Sequence, residues 1–322
     1  MPENKLPLVS VLIPAYNHER YIQDTIKSMI DQTYQNIELI IVDDGSKDST
    51  WQKMNELKAE CESRFARVHF ETKANEGTCK TLNQLISLAQ GEFVYFIASD
   101  DMARPQAIET EVDFLINNQD YVLAVGDNEF IDADNERIGW DKKCGSVALD
   151  KAVFKTFIHF FTAVFSGFDF PNELFGTYEM LLRSNHVPNG YTIRKKNLDN
   201  VKFTPEAPLE DLYMMLQLAK SGKFKFFDEI LFSYRWHGEN TAAKSKHMKQ
   251  MTAKTYIYEK NNLEKNNNTE LLKIFNSQTE HYRMRINFLD IAKYYYHKTL
   301  YYEEDIIEIF GKKIRIRHTD FL

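Results

Sequence analysis

Cysteine is scarce: Cys61, Cys79 and Cys144 are the only three in 322 residues. An odd count with no C-x-x-C spacing supplies neither a disulfide framework nor a zinc site, so a reducing, cytoplasmic setting is expected. Long apolar runs are missing as well. No window approaches the roughly 20 apolar residues that span a bilayer, and Met1 to Leu8 has no stretch of signal-peptide length, which predicts a soluble or peripheral protein. Positive charge is outnumbered, 40 Lys and Arg against 47 Asp and Glu, for a net charge of -7. Neutralising a polyphosphate backbone needs the opposite balance, so nucleic acid is not an expected partner. No G-x-G-x-x-G follows any strand-like run, which disfavours a dinucleotide-binding dehydrogenase. Hydrophobic residues, at 43%, suffice for a substantial core in a chain of this length.

The N-terminal half alternates. Leu8 to Ile13 is an apolar, β-branched run stopped by Pro14, the pattern of a buried parallel strand. Tyr21, Ile22, Ile26, Met29 and Ile30 then recur at helical spacing between Glu19 and Gln32, and Ile37 to Val42 is a second strand-like run. Strand, helix and strand fall within about 35 residues, the length of a βαβ unit. The alternation continues with a helix from about Thr50 to Cys61, a strand from Val68 to Glu71, a helix from Thr78 to Ala89 and a strand from Phe93 to Ala98. A helix opened by Pro105 runs to about Asn117, and Val122 to Val125 reads as another strand. The expected fold class is α/β, a mainly parallel sheet with helices on both faces.

Ligands collect at the carboxyl ends of the strands of such sheets, which singles out Pro14 to Asn17, Asp43 to Asp48 and Ser99 to Asp101. The second half is less regular. Glu210 to Lys220 reads as a short amphipathic helix, and Phe224 to Arg235 as a strand pair turning at Asp228-Glu229. Beyond about Ala242 the chain is polar and helical, with an Asn-rich break at Asn261 to Asn268 and an aromatic helix from about Thr279 to Lys298.

Three acidic clusters stand out. Asp43-Asp44 follows a buried strand, where a carboxylate can accept a hydrogen bond from a base or ribose; a solvated turn with Asp48 or Ser49 capping the next helix suits the same residues. Ser99-Asp100-Asp101 puts two mutually repelling carboxylates at another strand end, an arrangement that a hard divalent ion bridging a diphosphate would relieve, as an exposed turn also would. Glu210-Asp211 opens a helix at its positive end, where a carboxylate can be a general base or simply a cap. His237 follows Tyr234-Arg235-Trp236 in a polar turn, a place for a ligand or for a packing residue.

Taken in order, these segments resemble glycosyltransferase family 2 over roughly Leu8 to Asn240. The matching residues are Val9 to Asn17, Gln32-Thr33-Tyr34, Ile40 to Thr50, Asn75-Glu76-Gly77, Ala89 to Phe93, Ala98 to Asp101, Glu210-Asp211 and Tyr234 to His237. The resemblance implies a GT-A fold (Rossmann-like, nucleotide-diphospho-sugar transferase type) over residues 1–240, with a helical C-terminal extension over 241–322. It implies a nucleotide site at Pro14, Ala15, Tyr16, Asn17, Asp43 and Asp44, with Ser99 and Asp100 near the ribose and Lys80 and Asn83 nearby on the following helix. Asp101 would bind Mn2+ or Mg2+ on the diphosphate, His237 would reach the metal, and Asp211, with Glu210 beside it, would be the general base.

The implied activity is inverting transfer from a nucleotide-diphosphate sugar, a UDP-hexose or UDP-N-acetylhexosamine first, to a glycan or lipid-linked glycan of a bacterial O-antigen or capsule type. A dTDP-rhamnose donor and a non-catalytic carbohydrate-binding protein are the competing readings. Two positions depart from the family pattern: Ala98, where many members carry an acid, and Leu82, where many carry Arg. At the C-terminus, the aromatic stretch Met284 to Tyr296 and the basic cluster Lys312, Lys313, Arg315, Arg317 and His318 suit either membrane-surface contact or packing against the catalytic domain or a second subunit.

Overall fold

The computed structural model describes residues 6–143, 145–164, 174–199, 201–238, 240, 245–283, 305–309 and 312–316. In chain order the first half comprises β1 (Val9–Ala15), α1 (Ile22–Ile30), β2 (Ile37–Asp43), α2 (Thr50–Glu56), α3 (Lys58–Arg64), β3 (Arg67–Thr72), α4 (Thr78–Leu88), β4 (Phe93–Phe96), β5 (Met102–Ala103) and α5 (Ala107–Asn117). There follow β6 (Tyr121–Ile131), β7 (Arg137–Trp140), β8 (Ser146–Ala148), α6 (Phe157–Val164), α7 (Tyr178–Leu181), β9 (Tyr191–Arg194), α8 (Glu210–Leu218) and β10 (Lys223–Arg235). Last come α9 (Ser245–Lys265), α10 (Thr269–Arg283), β11 (Asp305–Ile309) and β12 (Lys312–Ile316).

The main sheet runs β3-β2-β1-β4-β9-β6-β10-β5. The strands β3, β2, β1 and β4 are mutually parallel, as the alternating pattern predicts. Then β9 enters antiparallel to both β4 and β6, so the parallel order is broken in the middle of the sheet by a strand from the irregular second half. Both faces are buried. Along β1, Val11 and Ile13 face one apolar layer with Ile22, Ile26, Val112 and Leu115 of α1 and α5, while Leu12 faces the other with Leu82, Leu85, Leu212 and Leu216 of α4 and α8. This two-sided burial is why the strands read as continuous apolar runs instead of alternating ones.

Several expectations are corrected. The run expected to be a strand pair is one strand, β10, parallel to β6, and its register shifts between Phe227 and Ile230, so that Asp228-Glu229 forms an irregularity in a single strand and not a hairpin turn. The single helix expected from Thr50 to Cys61 is broken at Leu57 into α2 and α3. The strand at Val122 continues to Ile131 because its polar residues Asp127, Asn128 and Glu129 are buried and hydrogen-bonded, a burial that hydropathy does not report. The C-terminal part is not wholly helical, since β11 and β12 pair antiparallel. Helix α10 begins at Thr269, and most of the aromatic stretch expected to be helical lies outside the described residues.

Among the described residues, the helices after residue 240, α9 and α10, are bound into the rest of the fold. Tyr256, Leu263 and Phe275 share an apolar cluster with Leu212 and Leu216 of α8. Buried Glu259 of α9 accepts hydrogen bonds from Tyr178 Oη (2.7 Å) and Gln217 Nε2 (2.9 Å) and pairs with Lys220 Nζ (2.7 Å). The Leu209 N–H, one residue before α8, donates to Thr255 Oγ1 at 3.1 Å. These contacts fix the start of α8, where Glu210 and Asp211 stand.

Candidate active site

Loops at the carboxyl ends of β1, β2 and β4 meet at one end of the sheet. The first two are joined directly: Asn17 N–H donates to Ser46 Oγ, and Lys47 N–H donates to Asn17 Oδ1, both at 2.8 Å. Asn17 takes a left-handed φ of 52°, a conformation that asparagine tolerates better than most residues. Asp43 is 1% exposed and accepts from Ser46 and from Thr72 Oγ1 (2.7 Å), so its carboxyl shapes the turn. Gly45 follows with φ of 72°, where a Cβ would lie 2.7 Å from the backbone nitrogen of Asn75.

Asp44 is held from three sides, by Lys73 Nζ (2.6 Å), Glu76 N–H (3.0 Å) and Gly77 N–H (2.8 Å). Burial opposes its ionisation, but these donors and the charge of Lys73 prevail and hold the carboxyl below its ordinary range. Tyr16 stands at the rim, 43% exposed, beside Ala15 and Pro14. Of the two residues expected on the following helix, Lys80 pairs with Glu76 on the surface. Asn83 uses both ends of its amide on the backbone of Phe203: Nδ2 donates to the carbonyl at 2.8 Å and Oδ1 accepts from the N–H at 3.0 Å.

At the end of β4 the two adjacent aspartates part company. Asp100 accepts from His237 Nε2 at 3.0 Å, with His18 Nε2 at 3.8 Å. His18 Nδ1 is in turn 2.8 Å from Ser99 Oγ. Ligand atoms of His18, Asp100 and His237 lie within 4.8 Å of one another. Burial opposes ionisation of Asp100, yet the two imidazoles draw its carboxyl below the ordinary value. Asp101 is 1% exposed, and its Oδ1 accepts the Arg235 N–H at 2.8 Å. Burial, then the negative charge of Asp100, pushes its carboxyl well above the usual range.

Two imidazoles and a carboxylate in this compass fit a divalent first-row cation, and a cation would also relieve the Asp100–Asp101 repulsion. The structure brings His237 into the group and leaves Asp101 adjacent to it. His18 was not foreseen; the only signal was its place directly after the strand-end segment Pro14 to Asn17.

A cavity of about 200 Å³ opens beside Asp101, lined by Pro14, Ala98, Glu210, Asp211 and Tyr191, the last paired in the sheet with Phe96 of β4. Glu210 and Asp211 occupy the first turn of α8, where the free backbone N–H groups favour negative charge. Asp211 accepts from Asn185 Nδ2 (2.9 Å) and from the Leu212 N–H (2.7 Å). Burial nevertheless raises its carboxyl, and burial together with the charge of Asp211 raises Glu210 to about 7. Asn185 and the wall Asn189-Gly190-Tyr191 come from a stretch with no periodicity, so no sequence signal pointed to them. Gly190 is required there: its φ is 73°, and a Cβ would fall 2.0 Å from the Phe232 ring.

Comparison with known proteins identifies the family and the fold. The pattern of "Glycosyl transferase family 2" matches residues 10–176. An uncharacterized glycosyltransferase of Haemophilus influenzae is 30% identical over 254 residues, covering 77% of this chain and 71% of that protein. The hyaluronan synthase of Pasteurella multocida is 26% identical over 306 residues, 94% of this chain, but the chain spans only 27% of that larger protein. The solved structure of S. aureus TarS 1-349 in complex with UDP-GlcNAc superposes with a TM-score of 0.53 over 97% of both chains at 15% identity. The mannosyltransferase PcManGT from Pyrobaculum calidifontis, in complex with GDP-Man and Mn2+, gives 0.57 at 12% identity over 92% of this chain and 81% of that one. By the span of the family match and by its Haemophilus relative, this chain, an enzyme of the GT-A fold, belongs to glycosyl transferase family 2.

Proposed function

We propose that the protein is a metal-dependent, inverting glycosyltransferase that moves a hexose or N-acetylhexosamine from a uridine diphosphate donor to a hydroxyl of an oligosaccharide or lipid-linked acceptor in bacterial surface-glycan synthesis. The observation that carries the reading is the cavity itself, whose lining brings together Asp101 from beyond the end of β4 and the Glu210-Asp211 pair of α8. The nucleotide would lie over Pro14 to Asn17 and Asp44, with Tyr16 free to stack on the base. The acceptor would enter between the sugar and α8.

Asp211 takes the proton from the attacking hydroxyl. Both its oxygens already accept one hydrogen bond each, which orients the carboxylate and leaves a lone pair for that proton. The hydroxyl oxygen attacks the anomeric carbon from the side opposite the diphosphate, so one bond forms as the other breaks and the configuration inverts. A Mn2+ or Mg2+ held by His18, Asp100 and His237 beside Asp101 would stabilise the charge that develops on the departing diphosphate. The low-lying Asp100 and the raised Asp211 suit these separate tasks, one staying charged toward a cation and the other poised to accept a proton.

The uridine donor is supported by the fold shared with TarS, whose structure holds UDP-GlcNAc. A peripheral place on the cytoplasmic face of the membrane belongs to the same reading, because lipid-linked acceptors are presented there. Among the described residues no helix is long and apolar enough to cross a membrane.

The test is release of nucleotide diphosphate from a panel of nucleotide sugars with Mn2+ present. UDP release from a UDP-hexose or UDP-N-acetylhexosamine, abolished by EDTA, is expected. Turnover of no nucleotide sugar, with or without oligosaccharide acceptors, would overturn the reading.

A further inference from the structure

Arg235 is 0% exposed, the largest of the fully buried side chains. A buried guanidinium is costly unless paired and hydrogen-bonded. Here the pairing is loose: Asp24 Oδ2 is 3.6 Å from Nη2, and Nη2 makes no hydrogen bond. A residue kept under those terms is explained by what it holds. Its Nε donates to the Asp100 carbonyl at 2.6 Å and its Nη1 to the Asp132 carbonyl at 3.0 Å. Its backbone N–H holds the Asp101 carboxylate, and its carbonyl accepts from Asn240 Nδ2 at 2.9 Å. Asn240 Oδ1 then takes the His237 N–H at 2.6 Å. The guanidinium also lies 4.8 Å from the centre of the Tyr21 ring, and that ring stacks on His237 at 5.0 Å with the planes 26° apart.

We propose that Arg235 is the positioning residue of the cation site: one side chain and its own peptide groups set the backbone of Asp100, the carboxylate of Asp101 and the ring of His237 in register before any ion arrives. The inference rests on the metal-dependent reading given above. Its logic is preorganisation. Asp100 is on the loop between β4 and β5, and His237 follows the end of β10, so the ligands come from segments far apart in the chain. The segment after the aspartates returns as β5 and pairs antiparallel with β10 (Ser233 with Met102), so the two ends are already neighbours, and Arg235 sets their mutual orientation with a flat, five-donor fork that a lysine ammonium cannot reproduce. Arg235 is not itself part of the cavity lining and offers no ligand atom to a cation, so it acts through the residues it holds.

The experiment is Mn2+ binding to the full-length protein, read from the electron paramagnetic resonance signal of free Mn2+, alone and with saturating UDP. Three variants are compared with the native chain, each first checked for a cooperative thermal transition: Arg235→Lys keeps the charge, Arg235→Met keeps the bulk, and Tyr21→Leu leaves the arginine but removes the ring between it and His237. Loss of an outer support of a metal site typically weakens binding about 10- to 100-fold. The expected result is a shift of that size for folded Arg235→Lys and Arg235→Met, and a smaller one in the same direction for Tyr21→Leu. If the Arg235 substitutions do not fold, the Tyr21→Leu shift decides. Variants with a lowered melting temperature but native Mn2+ affinity would show that the arginine is only structural and overturn the proposal. A native chain that takes up no Mn2+ in either condition would overturn the metal reading and this inference with it, an outcome distinct from the first.

Discussion

Two pairs of adjacent carboxylates stand at one cavity, lined by Asp101 of the first and by both members of the second, and they are handled in opposite ways. Asp100 and Asp101 are split: imidazoles draw the first down while burial and its neighbour drive the second up. Glu210 and Asp211 are both raised, and among the described residues neither forms an ion pair with a basic side chain. Adjacent acids in a sequence therefore say little about charge in the fold. What separates the pairs is the company supplied by distant segments, His18 and His237 in one case, and Asn185 with the apolar lining of α8 in the other.

The largest expected effect tests the first pair. Asp100→Ala should lower Mn2+-dependent turnover by about 10³-fold or more, the order seen when a principal stabiliser of developing charge is removed. Asp101→Ala should also be severely impaired. The comparison between them is informative, because if Asp101→Ala raises the Mn2+ requirement while Asp100→Ala does not, the cation belongs to Asp101 and the His18-Asp100-His237 group is a hydrogen-bond cluster. For the second pair, Asp211→Asn should cut kcat by about 10²-fold or more with donor affinity close to native, since a base is lost and no diphosphate contact with it. Donor affinity measured by calorimetry decides; its collapse would move Asp211 to the donor side and leave Glu210 as the base.

The first pair was legible in the sequence and the second only partly, for a physical reason. The loops after β1, β2 and β4 follow short buried parallel strands, whose β-branched runs announce themselves and whose carboxyl ends must converge. Asp44, Asp100 and Asp101 could thus be located by counting strands. The rest of the lining comes from the stretch Asn189-Gly190-Tyr191 leading into β9, from Phe203 and from Phe232 of β10, elements set by tertiary contacts such as Asn83 with Phe203 and not by periodicity. Glu210-Asp211 is visible because a helix begins there and because the pair falls in the order of the family's motifs. The burial of Arg235 is invisible, since nothing in Tyr234-Arg235-Trp236 shows that the guanidinium is enclosed or what it reaches.

A third test reads the second pair through stability. Glu210 keeps its proton to about 7 in the fold, whereas the unperturbed group releases it near 4.5. Between those values the folded state binds more protons than the unfolded one, so the stabilisation is complete below the unfolded value and is lost as pH rises through the folded one. Glu210→Gln, which cannot ionise, should remove this slope. The native protein should lose at most about 3 kcal/mol from this group between pH 4.5 and 8, and the variant should be relatively more stable at pH 8. Urea melts across that range check it; equal slopes for both proteins would mean that Glu210 ionises normally and that the two carboxylate pairs are less different than they look.

The smallest expected effect asks to which wall Asn83 belongs. It lies on α4, the helix that follows the Asp44-binding turn at Glu76-Gly77, and by resemblance it was placed near the donor. Yet both ends of its amide are engaged with the backbone of Phe203, a residue that lines the cavity on the approach to α8. Asn83→Ala strands one backbone N–H and one carbonyl. If water reaches them the cost is small, and if not it is roughly 1–2 kcal/mol, because an unmet buried group loses its hydration without compensation. The loop from Phe203 to Leu209 leads directly into the turn bearing Glu210 and Asp211, so loosening it should displace the second pair before it disturbs the nucleotide. The expected pattern is a modest drop in melting temperature, a kcat lowered several-fold and a donor KM within about two-fold of native. The reverse pattern, a raised donor KM with unchanged kcat, would return Asn83 to the donor wall and make α4 a part of the nucleotide site instead of the strut that joins it to the base.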